Sequence, residues 1–477
     1  MISTRRRTKI VCTIGPSCNS EKGIEDLLLH GMNVARLNFS HGTHKDHAQV
    51  IAHIRKVAKA NKYSIPILMD LQGPKIRVGS MKNGGQVLKT GSSIVITGEN
   101  IEGTSNKIPI DYPDLVREAE VGNKILLDDG LLEFKVVSKN EKELNVEVVV
   151  GGLLKSRKGV NLPNVKISIP ALTEKDINDL EFGISQDVDI IALSFVRSAK
   201  DIRDVVSRVR AAGSNASIIA KIEKPEALEV IDEIIEECDG IMVARGDLGI
   251  EIPTEEVPIV QKTLIEKCRM AGKPVITATQ MLDSMINNPR PTRAESSDVA
   301  NAVIDGTDAV MLSGETASGK YPLEAVNVMD KICRRVEENR TNLYNSLAFD
   351  KPEWKEKQVV ESLSYSCVSI AENVEAKVIG TLTNSGSTAR RIAKFRPNAP
   401  IIAFTESQKV RRQLNLVWGV YSVRVEKIFD TDMGVKLMEE FLQENGFVKK
   451  GDRAILTTGI PIAKRGSTNM IKVSTIE

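Results

Sequence analysis

The 477 residues exceed what one compact core accommodates, so we expect two to four domains, and the balance of 65 basic against 63 acidic residues argues against a general nucleic-acid-binding protein. No stretch approaches eighteen uninterrupted apolar residues, which argues against a membrane span, and the N-terminal MISTRRRTKIVCTIG has no apolar segment before a cleavage site, which argues against secretion. The six cysteines are scattered without a CxxC pair, so we expect free thiols in a reducing cytoplasm.

Short β-branched runs, each followed by a helical pattern, recur along much of the chain. The runs lie at 9–15, 32–39, 65–71, 188–195, 217–223, 240–245, 273–279 and 308–313. Runs that are apolar on both faces are typical of parallel strands covered by helices. The eight β/α units therefore predict an α/β fold, a (β/α)8 TIM barrel.

An insertion separates the third predicted strand, which ends near Leu71, from its helix, which begins near Thr173. Residues 72–168 alternate apolar and polar in SSIVITG, NKILLDDGLLEFKVVS and KELNVEVVVGG, with turn signals at Asp129-Gly130 and Lys139-Asn140. We predict an antiparallel β domain here, a small barrel or sandwich, that acts as a lid on the catalytic face. The barrel domain is then discontinuous, with residues 1–71 and 169–344.

A second series of β/α units follows the predicted long helix at 322–342. After a polar break near 345–357, the runs KVIGTLT, PIIAFTE, VYSVRV and RAILTTG alternate with helical patterns. This pattern predicts a smaller α/β domain with its own sheet over residues 345–477.

Charged and polar residues stand where the predicted barrel strands end, and in a TIM barrel that end carries the active site. Lys221 and Glu223, in IIAKIEKP, are two residues apart and so point to the same side of a strand. Glu223 and Asp247 lie on neighbouring predicted strands, and two carboxylates that leave open coordination positions suit Mg²⁺. Arg36, Arg77 and Lys221 supply positive charge for a phosphate or an enolate. No Ser-His-Asp arrangement indicates acyl transfer.

Each of these residues also has a purely structural interpretation. Lys221 and Glu223 form a buried ion pair in that interpretation, Asp247 caps a helix, and Arg36 pairs with Asp70 across adjacent strands. In the same interpretation Asn38 closes a turn, Thr279 is a packed core threonine and His41 is a turn residue. The functional interpretation is favoured because all of these positions fall at one end of one barrel.

The motifs along the chain identify a family resemblance. In order, they are KIVCTIGPS, ARLNFSHG, DLQGPKIR, KIEKPEAL, MVARGDLGIE, TATQMLDSM, NPRPTRAE, SDVANAVIDGTDAVMLSGETASGKYP and RGSTN. The series resembles the pyruvate kinase family from about Lys9 to the C-terminus, including the inserted lid. The resemblance implies transfer of the phosphoryl group of phosphoenolpyruvate to ADP, followed by protonation of the pyruvate enolate. It also implies Mg²⁺ or Mn²⁺ as cofactor and a cytoplasmic homotetramer.

The resemblance assigns roles to the residues at the strand ends. Lys221 stabilises the transferring phosphoryl group and the enolate, and Glu223 and Asp247 hold the divalent metal. The remaining implied residues bind substrate or nucleotide: Arg36 and Arg77 as phosphate clamps, Ala244, Arg245, Gly246 and Asp247 around the carboxylate, Thr279 on the protonation side, Asn38 and His41 at the nucleotide, and Lys158 from the lid. No side chain of suitable pKa stands out as proton donor, so we expect a water chain near Thr279.

One departure from the family pattern concerns K⁺. Members that need K⁺ resemble each other in having threonine after the aspartate and glutamate after Gly-Pro, whereas this chain has Leu71 and Lys75. The other K⁺ ligands implied by the resemblance, Asn38, Ser40 and Asp70, are present. A fixed ammonium can replace K⁺ electrostatically without binding it. We therefore predict that the enzyme needs Mg²⁺ but not K⁺.

The C-terminal domain resembles the regulatory domain of the family. Its run GTLTNSGSTARR follows a strand and enters a helix, where hydroxyl and N–H groups suit a phosphate, although an ordinary helix cap explains the same residues. We expect a sugar-phosphate or nucleoside-monophosphate effector to bind Thr383, Asn384, Ser385, Gly386, Ser387 and Thr388, together with Arg465 and Thr468.

Two other functions fit parts of the sequence. One is a Mg²⁺-dependent barrel lyase or aldolase that acts on pyruvate or phosphoenolpyruvate enolates, which shares the carboxylates and cations but gives no reason for a lid with Lys158. The other is a metabolite sensor on an inactive kinase scaffold. The sensor requires the loss of a central residue, and Lys221, Glu223, Asp247, Arg36 and Thr279 are all present.

Overall fold

The computed structural model describes residues 6–339, 359–460 and 468–477. Its first strands are β1 (Lys9–Thr13), β2 (Val34–Asn38) and β3 (Ile67–Asp70), connected by α1 (Glu21–His30) and α2 (His44–Ala60). Every residue of β1 and β3 is buried, as expected for parallel strands covered on both faces. Thr43 begins α2 with a capping box, which fixes where the loop after β2 ends.

The predicted insertion is a separate β domain with its own hydrophobic core. Its elements are β4 (Gly85–Leu88), β5 (Ser93–Thr97), β6 (Lys107–Pro109), α3 (Leu115–Glu118), β7 (Lys124–Leu127), β8 (Leu132–Lys139), β9 (Glu143–Val150), β10 (Gly152–Lys155) and β11 (Val160–Asn161). Six strands form a sheet in the order β11-β7-β8-β9-β5-β6, and β4 and β10 form a ribbon. The prediction of a wholly antiparallel domain is wrong in one respect: β6 pairs with β5 in parallel, because the segment 98–106 returns the chain to the start of β5.

The chain then completes the barrel. The elements are α4 (Glu174–Ser185), β12 (Ile190–Leu193), α5 (Ala199–Ala211), β13 (Ser217–Ile222), α6 (Pro225–Glu229), α7 (Ile231–Glu237), β14 (Gly240–Ala244), α8 (Arg245–Glu251), α9 (Val257–Ala271), β15 (Val275–Ala278), α10 (Arg293–Ile304), β16 (Ala309–Leu312), α11 (Gly314–Ala317) and α12 (Pro322–Glu338). The closed order β1-β16-β15-β14-β13-β12-β3-β2 confirms the predicted TIM barrel, strand for strand. The predicted helix 322–342 is α12, and residues 340–342 lie outside the described ranges.

The C-terminal domain is the predicted α/β unit. It contains α13 (Val359–Asn373), β17 (Val378–Leu382), α14 (Ser387–Ala393), β18 (Ile401–Thr405), α15 (Gln408–Gln413), β19 (Val420–Arg424), α16 (Thr431–Glu444), β20 (Arg453–Gly459) and β21 (Thr468–Thr475). The sheet order is β19-β18-β17-β20-β21, and β21 runs antiparallel to β20. The sequence reading missed β21, because this edge strand is mostly exposed and lacks the apolar run that marks the inner strands. The predicted boundary at 344/345 falls outside the described residues.

The C-terminal domain packs against the N-terminal ends of the barrel strands. Arg396 pairs with Asp308, the residue before β16, at 3.1 Å, and Lys9 at the start of β1 donates to the Val420 carbonyl at 2.7 Å. The lid therefore stands at one end of the barrel and the C-terminal domain at the other. Across the described ranges, no helix combines the length and apolar character needed to cross a membrane. All six cysteines are buried and free, as predicted.

Candidate active site

Lys221 and Glu223 lie side by side at the C-terminal end of β13, as their spacing predicts. The Lys221 Nζ is 2.9 Å from Glu223 Oε1 and 3.1 Å from Asp70 Oδ1, and it donates to Ser194 Oγ at 2.6 Å. The ammonium donates one hydrogen to Ser194 Oγ, and the carboxylates of Glu223 and Asp70 are its ion-pair partners. The structural interpretation of a buried ion pair is confirmed, and the pair stands at the mouth of the barrel.

The charges around Lys221 fix the protonation state of this cluster. Burial acts to lower the pKa of Lys221, but the carboxylates of Asp70 and Glu223 outweigh burial and raise the pKa above its ordinary value. Burial acts to raise the pKa of Asp70, but the charges of Lys221 and Arg36 outweigh it and hold that pKa below the usual range. The site thus holds a permanently charged ammonium and an ionised Asp70 at neutral pH.

Arg36 pairs with Asp70 across the adjacent strands β2 and β3, which confirms the structural interpretation of Arg36. Arg36 Nε lies 2.7 Å from Asp70 Oδ2, and its Nη1 donates to Thr13 Oγ1 at 2.8 Å. The Thr13 hydroxyl donates in turn to the Leu312 carbonyl. Arg36 is therefore held rigidly at the barrel mouth, where it lines an open cavity.

Glu223 directly follows β13 and Asp247 lies in α8 after the neighbouring strand β14, so the two predicted carboxylates stand just beyond the ends of these strands and not on them. Glu223 is buried and its Oε2 accepts the Phe195 N–H at 2.7 Å, while Asp247 is half-buried in the first turn of α8. Burial raises the pKa of Glu223, the Lys221 charge opposes this rise, and the Asp247 charge adds to it. A divalent cation relieves that unfavourable proximity of negative charges, so the donor set fits Mg²⁺ or Mn²⁺.

A divalent metal bound by Glu223 and Asp247 would have few protein ligands. Among the described residues, no group of three or more His, Cys, Asp and Glu side chains converges. Two carboxylates leave most positions of an octahedral Mg²⁺ shell to water and substrate, which is how this ion is commonly bound at phosphate sites.

The turn after β14 faces Thr279 at the end of β15. The Gly246 N–H donates to Thr279 Oγ1 at 2.7 Å, and that hydroxyl donates to the Ala278 carbonyl at 2.6 Å. Thr279 has φ +68°, a strained conformation for a β-branched residue. Ala244 precedes α8 as its N-cap residue, and the Arg245 side chain turns aside to bind both oxygens of Asp298 at 2.6 Å. Only the backbone of Arg245 therefore remains to contact a ligand.

An open cavity of about 860 Å³ lies beside Arg36 at the barrel mouth. Asn38 and His41, which the resemblance assigns to nucleotide binding, both line it. The Asn38 Oδ1 accepts the Ser40 N–H at 3.1 Å, so Asn38 also closes the turn as its structural interpretation predicts. The exposed His41 lies on the loop that leads into α2.

The lid residues stand apart from the Lys221 cluster. Lys158 binds Asp128 of the lid at 2.8 Å, and Arg77 belongs to the backbone bridge to Gly159 at the base of the lid. The exposed Lys75 lines a small cleft of about 40 Å³ between lid and barrel, which Asp247 also lines. The structure therefore places Lys75 near the lid, whereas Asp70 is buried and takes its positive neighbours from Lys221 and Arg36.

The predicted K⁺ ligands are only partly free to bind an ion. Asn38 and Ser40 share one turn, and Asp70 is paired with two cations. The Leu71 carbonyl accepts the Ser194 hydroxyl at 2.7 Å.

Most of the predicted effector residues line a cavity of about 390 Å³ at the C-terminal domain. Those that line it are Thr383, Asn384, Ser385, Ser387, Thr388 and Thr468. Gly386 has φ +79° and its N–H donates to Thr383 Oγ1 at 3.0 Å, so part of this loop is satisfied by its own hydrogen bonds. Barrel residues, including Arg210 and Asp239, form the opposite wall. Arg465 lies outside the described residues.

Sequence reasoning missed two groups that contact predicted site residues: Ser194 binds Lys221, and Asp298 binds Arg245. It also missed the buried ion pair between Lys224 and Glu251, at 2.7 Å, which lies next to Glu223 in the chain. Ser194 follows β12, which, like β1, was assigned no polar residue at its end. The sequence signal that could have revealed Ser194 is its position directly after a predicted barrel strand.

Comparisons with known proteins agree over the length of the chain. The family model of the pyruvate kinase barrel domain matches residues 5–326, and that of the pyruvate kinase alpha/beta domain matches residues 361–474. Among curated relatives, pyruvate kinase of Geobacillus stearothermophilus is 49% identical over 475 residues, with 99% of this chain and 81% of the relative covered. Pyruvate kinase of Staphylococcus aureus strain MRSA252 is 48% identical over 470 residues, with 98% and 80% covered.

A solved structure shows the same fold. The crystal structure of a pyruvate kinase from Cryptosporidium parvum superposes with a TM-score of 0.93 at 40% identity and covers 99% of this chain and 97% of its own.

Proposed function

The chain belongs to the pyruvate kinase family of phosphotransferases, and on that premise we propose that it transfers the phosphoryl group of phosphoenolpyruvate to ADP, giving pyruvate and ATP. The observation that carries this proposal is the ammonium of Lys221, held charged beside Glu223, Asp70 and Arg36 at the barrel mouth. Phosphoryl transfer depends mostly on positioning and on neutralising charge, which this cluster supplies.

The test is pyruvate formation from phosphoenolpyruvate and ADP, coupled to lactate dehydrogenase, with Mg²⁺ and with the Lys221→Met variant. Turnover that requires ADP and collapses in the variant supports the kinase. Pyruvate release that does not depend on ADP supports the lyase instead. Ligand-dependent thermal shifts without turnover support the metabolite sensor.

In the proposed mechanism, Arg36 and Lys221 neutralise the phosphoryl group as it moves between substrate oxygens. Arg77 and Lys158 approach from the lid and hold the nucleotide phosphates, which requires Lys158 to leave Asp128 as the lid closes. Asn38 and His41 contact the nucleotide in the cavity beside Arg36. Lid closure excludes water, which strengthens each of these charge interactions.

The family requires a divalent metal such as Mg²⁺, which supplies charge neutralisation at the substrate oxygens. Glu223 and Asp247 are the residues that hold it. The N–H groups of the turn Ala244–Gly246 bind the substrate carboxylate, so Gly246 N–H must exchange its bond to Thr279 Oγ1 for the substrate. Thr279, released from Gly246, orients the water that protonates the enolate carbon.

We propose further that the enzyme is independent of K⁺. The supporting features are the side chain of Leu71, which has no oxygen, and the Leu71 carbonyl bound to Ser194. In this proposal the ammonium of Lys75, which lines the cleft between lid and barrel, takes over the charge of K⁺. Full turnover with tetramethylammonium as the only monovalent cation is expected, and Lys75→Glu is expected to create K⁺ activation while Lys75→Gln does not. A near-zero rate that K⁺ restores contradicts the proposal.

Regulation is the third proposal. A sugar phosphate or nucleoside monophosphate binds the hydroxyl-lined cavity of the C-terminal domain, with Arg210 of the barrel on its far wall. A hexose phosphate, a pentose phosphate and AMP are the probes. Thr383→Ala and Ser387→Ala are expected to abolish activation and to spare basal turnover, and unchanged activation places the site elsewhere. Sedimentation of the same samples tests the homotetramer that the family resemblance implies.

A further inference from the structure

The segment Ser194–Arg197, which follows β12, contacts both members of the catalytic pair. Ser194 is buried, and its hydroxyl oxygen accepts the Lys221 ammonium at 2.6 Å. The next residue, Phe195, donates its N–H to Glu223 Oε2 at 2.7 Å. This segment therefore holds the Lys221 ammonium through the Ser194 side chain and the Glu223 carboxylate through the Phe195 backbone.

The same segment contacts both connections between the barrel and the lid. The Ser194 hydroxyl donates its single hydrogen to the Leu71 carbonyl at 2.7 Å, where the chain leaves the barrel. Arg197 donates to the carbonyls of Ile167 and Ile169, where the chain returns. These four residues are thus bonded to the entry and the exit of the lid.

The packing at the entry leaves little freedom. Gly73 has φ +69°, and a Cβ added there would lie 2.7 Å from the Phe195 ring and 3.0 Å from the Ser194 Cβ. Phe195 itself has φ +54°, a conformation that bulky residues seldom adopt and that points its N–H at Glu223. Movement of the connection that enters the lid at Gly73 is therefore transmitted to Ser194 and Phe195 by direct contact.

We propose that Ser194 is a positioning residue for Lys221, and that the segment Ser194–Arg197 couples the position of the lid to the Lys221 and Glu223 side chains. Because the hydroxyl hydrogen is committed to the Leu71 carbonyl, a lone pair of the oxygen faces the ammonium. A shift of the Leu71 carbonyl when the lid moves reorients that lone pair and changes how firmly the ammonium is held. This inference rests on the proposed role of Lys221.

The first test compares Ser194→Ala, Ser194→Cys and Ser194→Thr in the coupled assay. Loss of a hydrogen bond to a charged group predicts that kcat falls about 10- to 100-fold in the Ala and Cys variants, with the KM for phosphoenolpyruvate nearly unchanged. The Thr variant keeps the hydroxyl and is expected to recover most of the loss. Cys controls for shape, because it fills the serine site without a strong hydrogen-bonding group.

A double variant separates positioning from general destabilisation. In a Lys221→Ala background, adding Ser194→Ala is expected to have little further effect on kcat, because the residue through which Ser194 acts is already absent. An equal loss in both backgrounds overturns the proposal, and so does an unchanged kcat in Ser194→Ala. By contrast, a wild type without ADP-dependent turnover, or a Lys221→Ala variant with full turnover, overturns the proposed function itself.

Hydrogen exchange tests the coupling without using activity. Ser194→Ala is expected to speed exchange in the lid-entry residues 71–77 and at the Phe195 amide, and Arg197→Ala is expected to do so in the exit residues 165–169. Ser364→Ala is the matched control, because Ser364 is another buried serine that donates to a backbone carbonyl, in the C-terminal domain. Exchange at these segments that matches the control overturns the coupling.

Discussion

The two ends of the barrel each bury a lysine, and the two lysines have opposite electrostatics. Lys221 stands at the C-terminal end of β13 among Asp70 and Glu223, which raise its pKa against the effect of burial. Lys9 stands at the start of β1, where it donates to the Val420 carbonyl and lies 4.4 Å from the centre of the Tyr421 ring. Burial lowers the pKa of Lys9 to about 7, and Arg6 adds to this effect while Glu337 and Asp308 oppose it.

The comparison shows that the acceptors around a buried lysine, and not burial itself, decide its charge. Two carboxylates in direct contact keep Lys221 charged, as the stabilisation of a transferring phosphoryl group requires. Lys9 has a carbonyl and a ring in contact, which satisfy an amine without stabilising a full charge to the same degree. At that end of the barrel, arginines such as Arg396, which pairs with Asp308, carry permanent charge.

The largest effect is expected from removing each lysine in turn. Lys221→Met should lower kcat by about 10³-fold, because the charge that stabilises the transition state is lost, whereas Lys9→Met should leave kcat near the wild-type value. The coupled pyruvate assay measures both, with circular dichroism to confirm that each variant folds. Equal losses of kcat in the two variants would contradict the difference in electrostatics between Lys221 and Lys9.

The next effect concerns the permanent charge between the domains. Arg396→Ala should lower the free energy of unfolding by about 3 kcal/mol, because it leaves the Asp308 carboxylate buried without its partner. Arg335→Ala, which removes an exposed pair with Glu338, should change it by less than about 0.5 kcal/mol. Urea unfolding compares the two. A small effect of Arg396→Ala would mean that water reaches Asp308 readily.

At the catalytic end, Asp247→Asn should weaken Mn²⁺ binding by roughly 10- to 100-fold, because it removes one of two carboxylates from the metal site. Titration followed by the electron paramagnetic resonance of free Mn²⁺ measures this without turnover. Asp232→Asn is the matched control, since Asp232 is exposed and pairs with Lys267 on the outside of the barrel. Equal affinity in the two variants would remove Asp247 from the metal site.

The smallest effect is the pH dependence that Lys9 confers on stability. With a native pKa of about 7 and an ordinary unfolded pKa near 10.4, the unfolded chain binds a proton that the native protein lacks between these values. Stability therefore rises with pH in this window, by about 2 kcal/mol from pH 7 to pH 9. The free energy of unfolding of the wild type, measured in urea, should rise by this amount relative to that of Lys9→Met over the same pH range. Parallel pH profiles of the two proteins would contradict the low pKa of Lys9.

The sequence by itself determined the barrel, the inserted β domain and the side-by-side placement of Lys221 and Glu223. Eight apolar runs gave the eight strands because burial on both faces leaves a local signature. The spacing of Lys221 and Glu223 placed both on one side of β13 because the period of a strand is two residues. The edge strand β21 was missed because an exposed strand carries no such signature.

Only the tertiary structure decided which acceptors each of these residues faces. Asp70 and Ser194 lie far from Lys221 in the chain and meet it because β3, β12 and β13 are neighbours in the closed sheet. Burial lowers the pKa of Lys9, and part of that burial comes from Val420 and Tyr421 of β19, which belongs to another domain. The cations beside Asp70 come from β2 and β13. Periodicity reports which side of an element a residue occupies, but the electrostatics of a buried charge depend on neighbours that only the closed barrel brings within a few ångströms.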